Sequence, residues 1–250
     1  MNTLIKLLKE RLIIELKKQD RSGIYGYTQK TLSFNSNKIE GSRLNEEQTA
    51  YLFETGALLP GNEIIVSKDI EEMNGHFAMF NKMLQTYKKP LSEYLIKSYH
   101  YELKIGVFED RTSGYPIGEY KNRANRVSDI IPTKVEDVHN EMSKLISWYN
   151  SQEKVTLKTL AIFHEKYEHI HPFQDGNGRT GRIILFKECL RNDILPFIIR
   201  DKDKLTYYKA LKDANDCDFN SLEKMFKKEQ QAYKSIIEDL CVPRGERKSF

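Results

Sequence analysis

The chain has 250 residues, of which 40 are Lys or Arg and 36 are Asp or Glu, giving a formal net charge of +4 with 39% hydrophobic residues. This ordinary globular composition excludes collagen-like, mucin-like and wholly disordered chains, and the length suffices for a buried core without disulfide staples. Acidic and basic residues are interleaved, so the small positive excess points neither to nucleic acid nor to any other partner.

In chain order, Leu4, Leu7, Leu8, Leu12 and Leu16 recur at helical spacings and predict an amphipathic helix over 3–19. Charged residues interrupt this stretch, and no run approaches the roughly 20 apolar residues of a membrane span, so neither a cleavable signal nor a membrane partner is expected. A polar stretch follows, then a helical pattern over 45–58 closed by Pro60 and Gly61. Ser67 is a candidate N-cap for a helix to about Lys88 with the stripe Ile70, Met73, Phe77, Phe80 and Leu84. Pro90 stops it, and the next helix runs to about Leu103. Residues 104–132 carry Gly106, Gly114, Pro116 and Gly118, and the segment Tyr120 to Ile131, closed by Pro132, is the one place for a β-hairpin. Thr133 and Glu136 make a capping-box pair for a helix to about Tyr149. Further helices are expected over 156–169, 179–191, 203–215 and 220–239. No repeat or composition break divides the chain, which reads as one mostly α domain with a helical arm at 1–60, a main body at 61–240 and a basic tail at 241–250. Cys189, Cys217 and Cys241 form no CxxC or other short ligand pattern and point to a reducing compartment, the cytoplasm.

The chemistry concentrates in the run His171 to Arg182, which reads HPFQDGNGRTGR and lies between two helical patterns. Gly176, Asn177 and Gly178 let the backbone turn and aim its N–H groups at one point, and the helix expected from Arg179 adds its positive end. Arg179 and Arg182, three apart, are expected to share a helix surface and reach one anion, a polyphosphate better than a carboxylate. Asp175 offers the hard oxygen that holds Mg2+ beside substrate phosphates. His171, with an unperturbed pKa of about 6.5, can take a proton from an attacking hydroxyl, and Phe173 suits an apolar anchor for the loop. A base, a metal ligand and a phosphate cradle are the equipment of nucleotidyl or phosphoryl transfer. The GxGxxG pattern embedded at Gly176 to Gly181 lacks the preceding strand of a dinucleotide-binding unit. His164, His169 and His171 lack a zinc-site spacing, and the first two read as partly buried helix residues. A glycine-rich connection would account for any one residue of the run but not for the set.

The same run resembles, at every specified position, the signature HPFx(D/E)GNGRxxR of the Fic family. That resemblance implies a Fic-type helical bundle with a short β-hairpin flap, a catalytic core over 61–240, and transfer of AMP from ATP to a Ser, Thr or Tyr hydroxyl of a target protein, the chain itself being one candidate. It implies His171 as general base and Asp175 as ligand of the Mg2+ that bridges the α- and β-phosphates. Gly176, Asn177, Gly178, Arg179 and Arg182 would hold the phosphates. Residues 118–132 are similar to the family's flap, which clamps the nucleotide, here with Val127, and aligns the target by strand addition. Asp203, Tyr207, Tyr208, Leu211 and Asn215 resemble the segment after the motif, which implies Tyr208 and Asn215 at the adenine.

Ser36-Asn37-Lys38-Ile39-Glu40-Gly41 is similar to the family's inhibitory motif (S/T)xxxE(G/N). Ser36 and Glu40, four apart, share a helix face, so the Glu40 carboxylate can pair with Arg182 and stand where an ATP γ-phosphate would. Glu40 is also a candidate to activate a water for removing AMP from a modified target. Two alternatives stay open: a Fic-like transferase moving a phosphoryl or phosphocholine group, and a nucleotide-sensing interaction module without turnover.

Overall fold

Leu4, Leu8 and Leu12 are buried along one face of α1 (Asn2–Lys18), as their spacing predicts. The structure is a computed structural model and describes residues 2–59, 64–125 and 132–242. Ten more α-helices follow among these residues: α2 (Ile24–Ile39), α3 (Glu46–Thr55), α4 (Ser67–Thr86), α5 (Glu93–Lys104), α6 (Phe108–Thr112), α7 (Val138–Asn150), α8 (Leu157–Ile170), α9 (Asn177–Arg191), α10 (Lys204–Asn215) and α11 (Asn220–Cys241). None of them is long and apolar enough to cross a membrane.

The centre of the bundle is α9. Its residues from Asn177 to Leu190 are all buried, the pattern of a helix packed on every side, and α2, α4, α5 and α8 surround it. In its middle, Phe186 packs against Phe80 of α4 and Tyr233 of α11, with ring centroids 6.1 and 5.9 Å away. Residues of α1 and α2 belong to the same apolar cluster as those of α4 and α7 to α11, so the turn that opens α9 is framed from both halves of the chain.

The polar stretch after α1 is itself a helix. Besides Ile24, Leu32 and Ile39, α2 buries Thr28, Gln29, Ser33, Asn35, Ser36 and Asn37. These polar groups find partners: Gln29 Nε2 donates to the Phe77 carbonyl at 2.8 Å, Ser33 Oγ meets His76 Nδ1 at 2.9 Å, and Asn37 Nδ2 donates to the Ser33 carbonyl at 2.9 Å. Apolar periodicity does not register a helix whose buried face is largely polar.

Other expectations shift locally. Ser67 is the first residue of α4, with Val66 in the capping position. A 3-10 turn over Val135–Asp137 precedes α7, so Thr133 and Glu136 do not cap it as a pair. The start of α9 is Asn177 rather than Arg179, which draws the glycine-rich turn into the helix. Among the described residues there is no β-strand. The first half of the expected hairpin instead bonds elsewhere: the Gly118 N–H donates to His100 Nδ1 at 3.0 Å and the Lys121 N–H to the Pro172 carbonyl at 2.8 Å. Val127 and the rest of 126–131 lie outside the described residues.

Candidate active site

The motif begins where α8 ends. His171 takes a left-handed conformation (φ +50°), an unusual one for a non-glycine residue, while its N–H still donates to the Tyr167 carbonyl at 3.0 Å. Gly176, also left-handed at φ +84°, turns the chain into α9 at a position where a Cβ would press on Leu103. Between these two turns the loop is stapled from inside. Asn177 Oδ1 accepts the Phe173 N–H at 2.7 Å and its Nδ2 donates to the Phe173 carbonyl at 2.8 Å, so this side chain is spent on the loop rather than left for a phosphate. Phe173 is fully buried and lies flat on the His100 ring, centroids 3.9 Å apart at 1°. Because His100 Nδ1 accepts from Gly118, its Nε2 carries the proton and donates to the Asp175 carbonyl at 3.0 Å. Burial pushes the His100 pKa down to about 3, which keeps the ring in that neutral form.

The two arginines do not converge on one point. Arg182 faces α2: its Nε donates to Ser36 Oγ at 2.9 Å, and its Nη2 to the Ser36 carbonyl at 2.9 Å and to Glu40 Oε1 at 2.7 Å. The Glu40 carboxylate lies over Gly178, where any Cβ would collide with it. Arg179 turns the other way, to Glu72 Oε2 at 2.5 Å and the Asp175 carboxylate at 3.2 Å, with Asn37 Oδ1 at 3.3 Å. Three-residue spacing gives both a common helix surface, but α2 places a carboxylate beside Arg182 and α4 places another beneath Arg179.

Asp175 borders this ion network with 35% of its side chain exposed. Burial works against its charge, yet Arg179 and then Lys104 outweigh it and hold the carboxyl well below its usual range. Burial of the half-buried His171, reinforced by the Lys121 ammonium, lowers its pKa to about 4, so the imidazole is neutral at pH 7. Lys121 is 4% exposed and donates to Asn125 Oδ1 at 2.9 Å, and Asn125 Nδ2 in turn donates to the Phe173 carbonyl at 3.0 Å.

The remaining predicted residues spread around the cradle. Tyr208 is exposed and its hydroxyl donates to the Ile39 carbonyl at 3.3 Å, next to Glu40. Asn215 sits exposed at the end of α10 and borders a cavity of about 580 Å³ with Trp148, His169 and Phe219, away from the first turn of α9. The supporting residues His100, Lys104, Glu72, Asp110 and Lys121 carry no spacing signal in the sequence, because α4, α5, α6 and the 118–125 segment bring them together only on folding. Glu168 was equally silent: it is a carboxyl packed against Gly181, and burial pushes its pKa up to about 8.

The Fic/DOC family profile matches residues 90–188. The protein adenylyltransferase Fic of Nematostella vectensis is 29% identical over 190 residues, 74% of this chain and 43% of its own length. The Drosophila melanogaster protein of the same name is 32% identical over 193 residues, 74% of this chain and 37% of its own. The chain thus spans less than half the length of these curated relatives. A Fic-domain-containing signaling protein from Bacteroides thetaiotaomicron superposes with a TM-score of 0.69 at 24% identity, covering 93% of this chain and 94% of that one. Fic-1 of C. elegans (its residues 134–508) superposes with a TM-score of 0.74 at 21% identity, covering 94% of this chain and 72% of that one. These two likenesses concern the fold. On the profile match and on relatives up to 32% identical across three quarters of its length, the chain belongs to the Fic/DOC family.

Proposed function

We propose that the chain is a Mg2+-dependent protein adenylyltransferase held back by Glu40. The observation that carries this reading is the first turn of a buried helix, built to receive an anion, covered by the chain's own Glu40 carboxylate close to a neutral imidazole. The relatives named protein adenylyltransferase support the same activity.

In the transfer, His171 takes the proton of a target Ser, Thr or Tyr hydroxyl as its oxygen attacks the α-phosphorus of ATP, and pyrophosphate leaves. The N–H groups at Asn177 and Gly178 and the Arg182 guanidinium, once freed from Glu40, hold the phosphates, whereas the Gly176 N–H donates to Asp175 Oδ1 at 2.7 Å. Arg179 keeps Asp175 ionised and in place. Asp175 fits a Mg2+ ligand, since Arg179 and Lys104 favour its ionised form and the side chain is partly open, and Mg2+ is commonly held by one or two protein carboxylates beside substrate phosphates. When bound, the ion offsets the charge on the α- and β-phosphates. Tyr208 and Asn215 at the adenine, and Val127 in the flap, rest on the family resemblance.

Residues 1–60 supply the brake and 61–240 the transferase in this reading. Glu40 is also the group placed to activate a water for the reverse removal of AMP. The location proposed is the cytoplasm, supported by three free cysteines. A sensing module without turnover gives no reason for a neutral imidazole beside the cradle. Incubating wild type and Glu40→Gly with labelled ATP and lysate, followed by mass spectrometry of the labelled band, tests the reading. A gain of AMP on a hydroxyl side chain supports it, whereas a gain of phosphate, or no label in either protein, contradicts it.

A further inference from the structure

Behind Asp175 lies a charged cluster that the transfer does not use. Glu72 of α4, Asp110 of α6 and Asp175 of the loop bring carboxylate oxygens within 4.8 Å of one another. Three such oxygens are a reasonable donor set for a divalent cation, yet a cation of the chain's own fills the space between them. Lys104, the last residue of α5, has a side chain only 2% exposed, and its Nζ lies 2.6 Å from Glu72, 2.5 Å from Asp110 and 2.7 Å from Asp175. An ammonium has three N–H donors, and here three carboxylates are within reach of them. Arg179 closes the other side against Glu72 and Asp175, and Lys68 stands 3.8 Å from Asp110. Lys68 is shared with Glu109, 3.3 Å away, so Lys104 and Arg179 are the cations that contact the three carboxylates most closely.

We infer that Lys104 is a tethered cation occupying what would otherwise be an all-protein divalent site, and that it acts as a positioning residue for Asp175. It prevents the nucleotide-free protein from capturing an ion behind the loop, and it turns the open edge of Asp175 toward an ion that arrives with the nucleotide. The inference rests on Asp175 as the metal ligand of the proposed reaction. It does not require that the transferred group be AMP. A purely structural Lys104 would stabilise the fold without governing which cations the cluster accepts.

The test is a titration of the nucleotide-free full chain with Mn2+, followed by the electron paramagnetic resonance signal of the free ion. Wild type is expected to take up no stoichiometric Mn2+. Lys104→Met is expected to bind one ion per chain about tenfold or more tighter, with its Tm raised by Mn2+, and Lys104→Met/Glu72→Gln to lose that gain. A Lys104→Met chain that folds only with Mn2+ also supports the inference. Stoichiometric uptake by wild type, or a folded Lys104→Met with no gain, overturns it. If Lys104→Met does not fold under any condition, Lys104→Gln, which keeps all three carboxylates, is read by the same two outcomes. Failure of AMP transfer in the labelling assay bears on the proposed function and leaves the Mn2+ comparison readable.

Discussion

Glu40 and Arg182, 142 positions apart in the chain, meet at 2.7 Å above Gly178, so the end of α2 is latched to the start of the central helix. Arg182 makes two more bonds to the same helix turn, both to Ser36. In the proposed function an incoming triphosphate replaces this internal carboxylate.

Glu40→Gly is therefore expected to tighten nucleotide binding by a factor between about 5 and 150, the range typical of the coupling between a regulatory contact and a ligand. Calorimetric titration with a non-hydrolysable ATP analogue measures it. Ser36→Ala, which removes one of the bonds Arg182 makes to α2, should act in the same direction by less. Unchanged affinity in Glu40→Gly would mean that the latch does not cover the nucleotide site.

The pH dependence of transfer follows from His171. A general base has to be neutral, and burial with the Lys121 charge lowers this imidazole to about 4, so the acid limb of the rate profile should lie near pH 4 rather than near 6.5. Lys121→Met removes the neighbouring charge, and the limb should then move to higher pH. A limb that stays in place would exclude Lys121 as a contributor.

Stability should also fall on acidification, through buried histidines. His76, His100 and His164 are each lowered to about 3, in every case chiefly by burial. Between about 6.5 and 3 the unfolded chain binds protons that the folded chain refuses, so unfolding becomes easier as pH drops. Each of the three contributes a loss of up to about 1.4 kcal/mol per pH unit within that window, and Glu168, whose carboxyl is raised to about 8, offsets about one of them above pH 4.5. Thermal melts at pH 7, 6 and 5 should show a steadily falling Tm, and a flat series would contradict the neutral, buried assignment.

Asn177→Ala tests whether this side chain serves the loop. The Phe173 N–H would be left buried without its acceptor, at a cost of about 1–3 kcal/mol, whereas the Phe173 carbonyl keeps Asn125. Denaturant unfolding should register that loss. No change in stability would return Asn177 to the role of a free phosphate ligand.

How much of this could be read from the residues depended on whether the signal was local. The loop from His171 to Arg182 was legible because its chemistry lies in twelve consecutive positions, and Phe173 was recognisable as an anchor from its apolar ring amid polar neighbours. The helix carrying Glu40 was half legible: the Ser36 to Gly41 motif stood out, but the polar face that buries α2 gave no apolar period. The division of labour between Arg179 and Arg182 was hidden, since spacing along a helix does not reveal which carboxylates other helices bring to it. Lys104 was hidden for the same reason. At the end of a predicted helix a lysine reads as a solvated residue at the negative pole of the helix dipole. Only the approach of α4 and α6 turns it into the centre of a carboxylate cage.

In the proposed reaction His171 is the base for AMP transfer at a site that Glu40 covers. The most direct measurement compares Glu40→Gly with Glu40→Gly/His171→Ala, reading nucleotide affinity and intact mass of the target after incubation with ATP. Equal affinity in both proteins is expected, with a gain of AMP by the target for the first and none for the second. Equal transfer by the two proteins would contradict this role of His171.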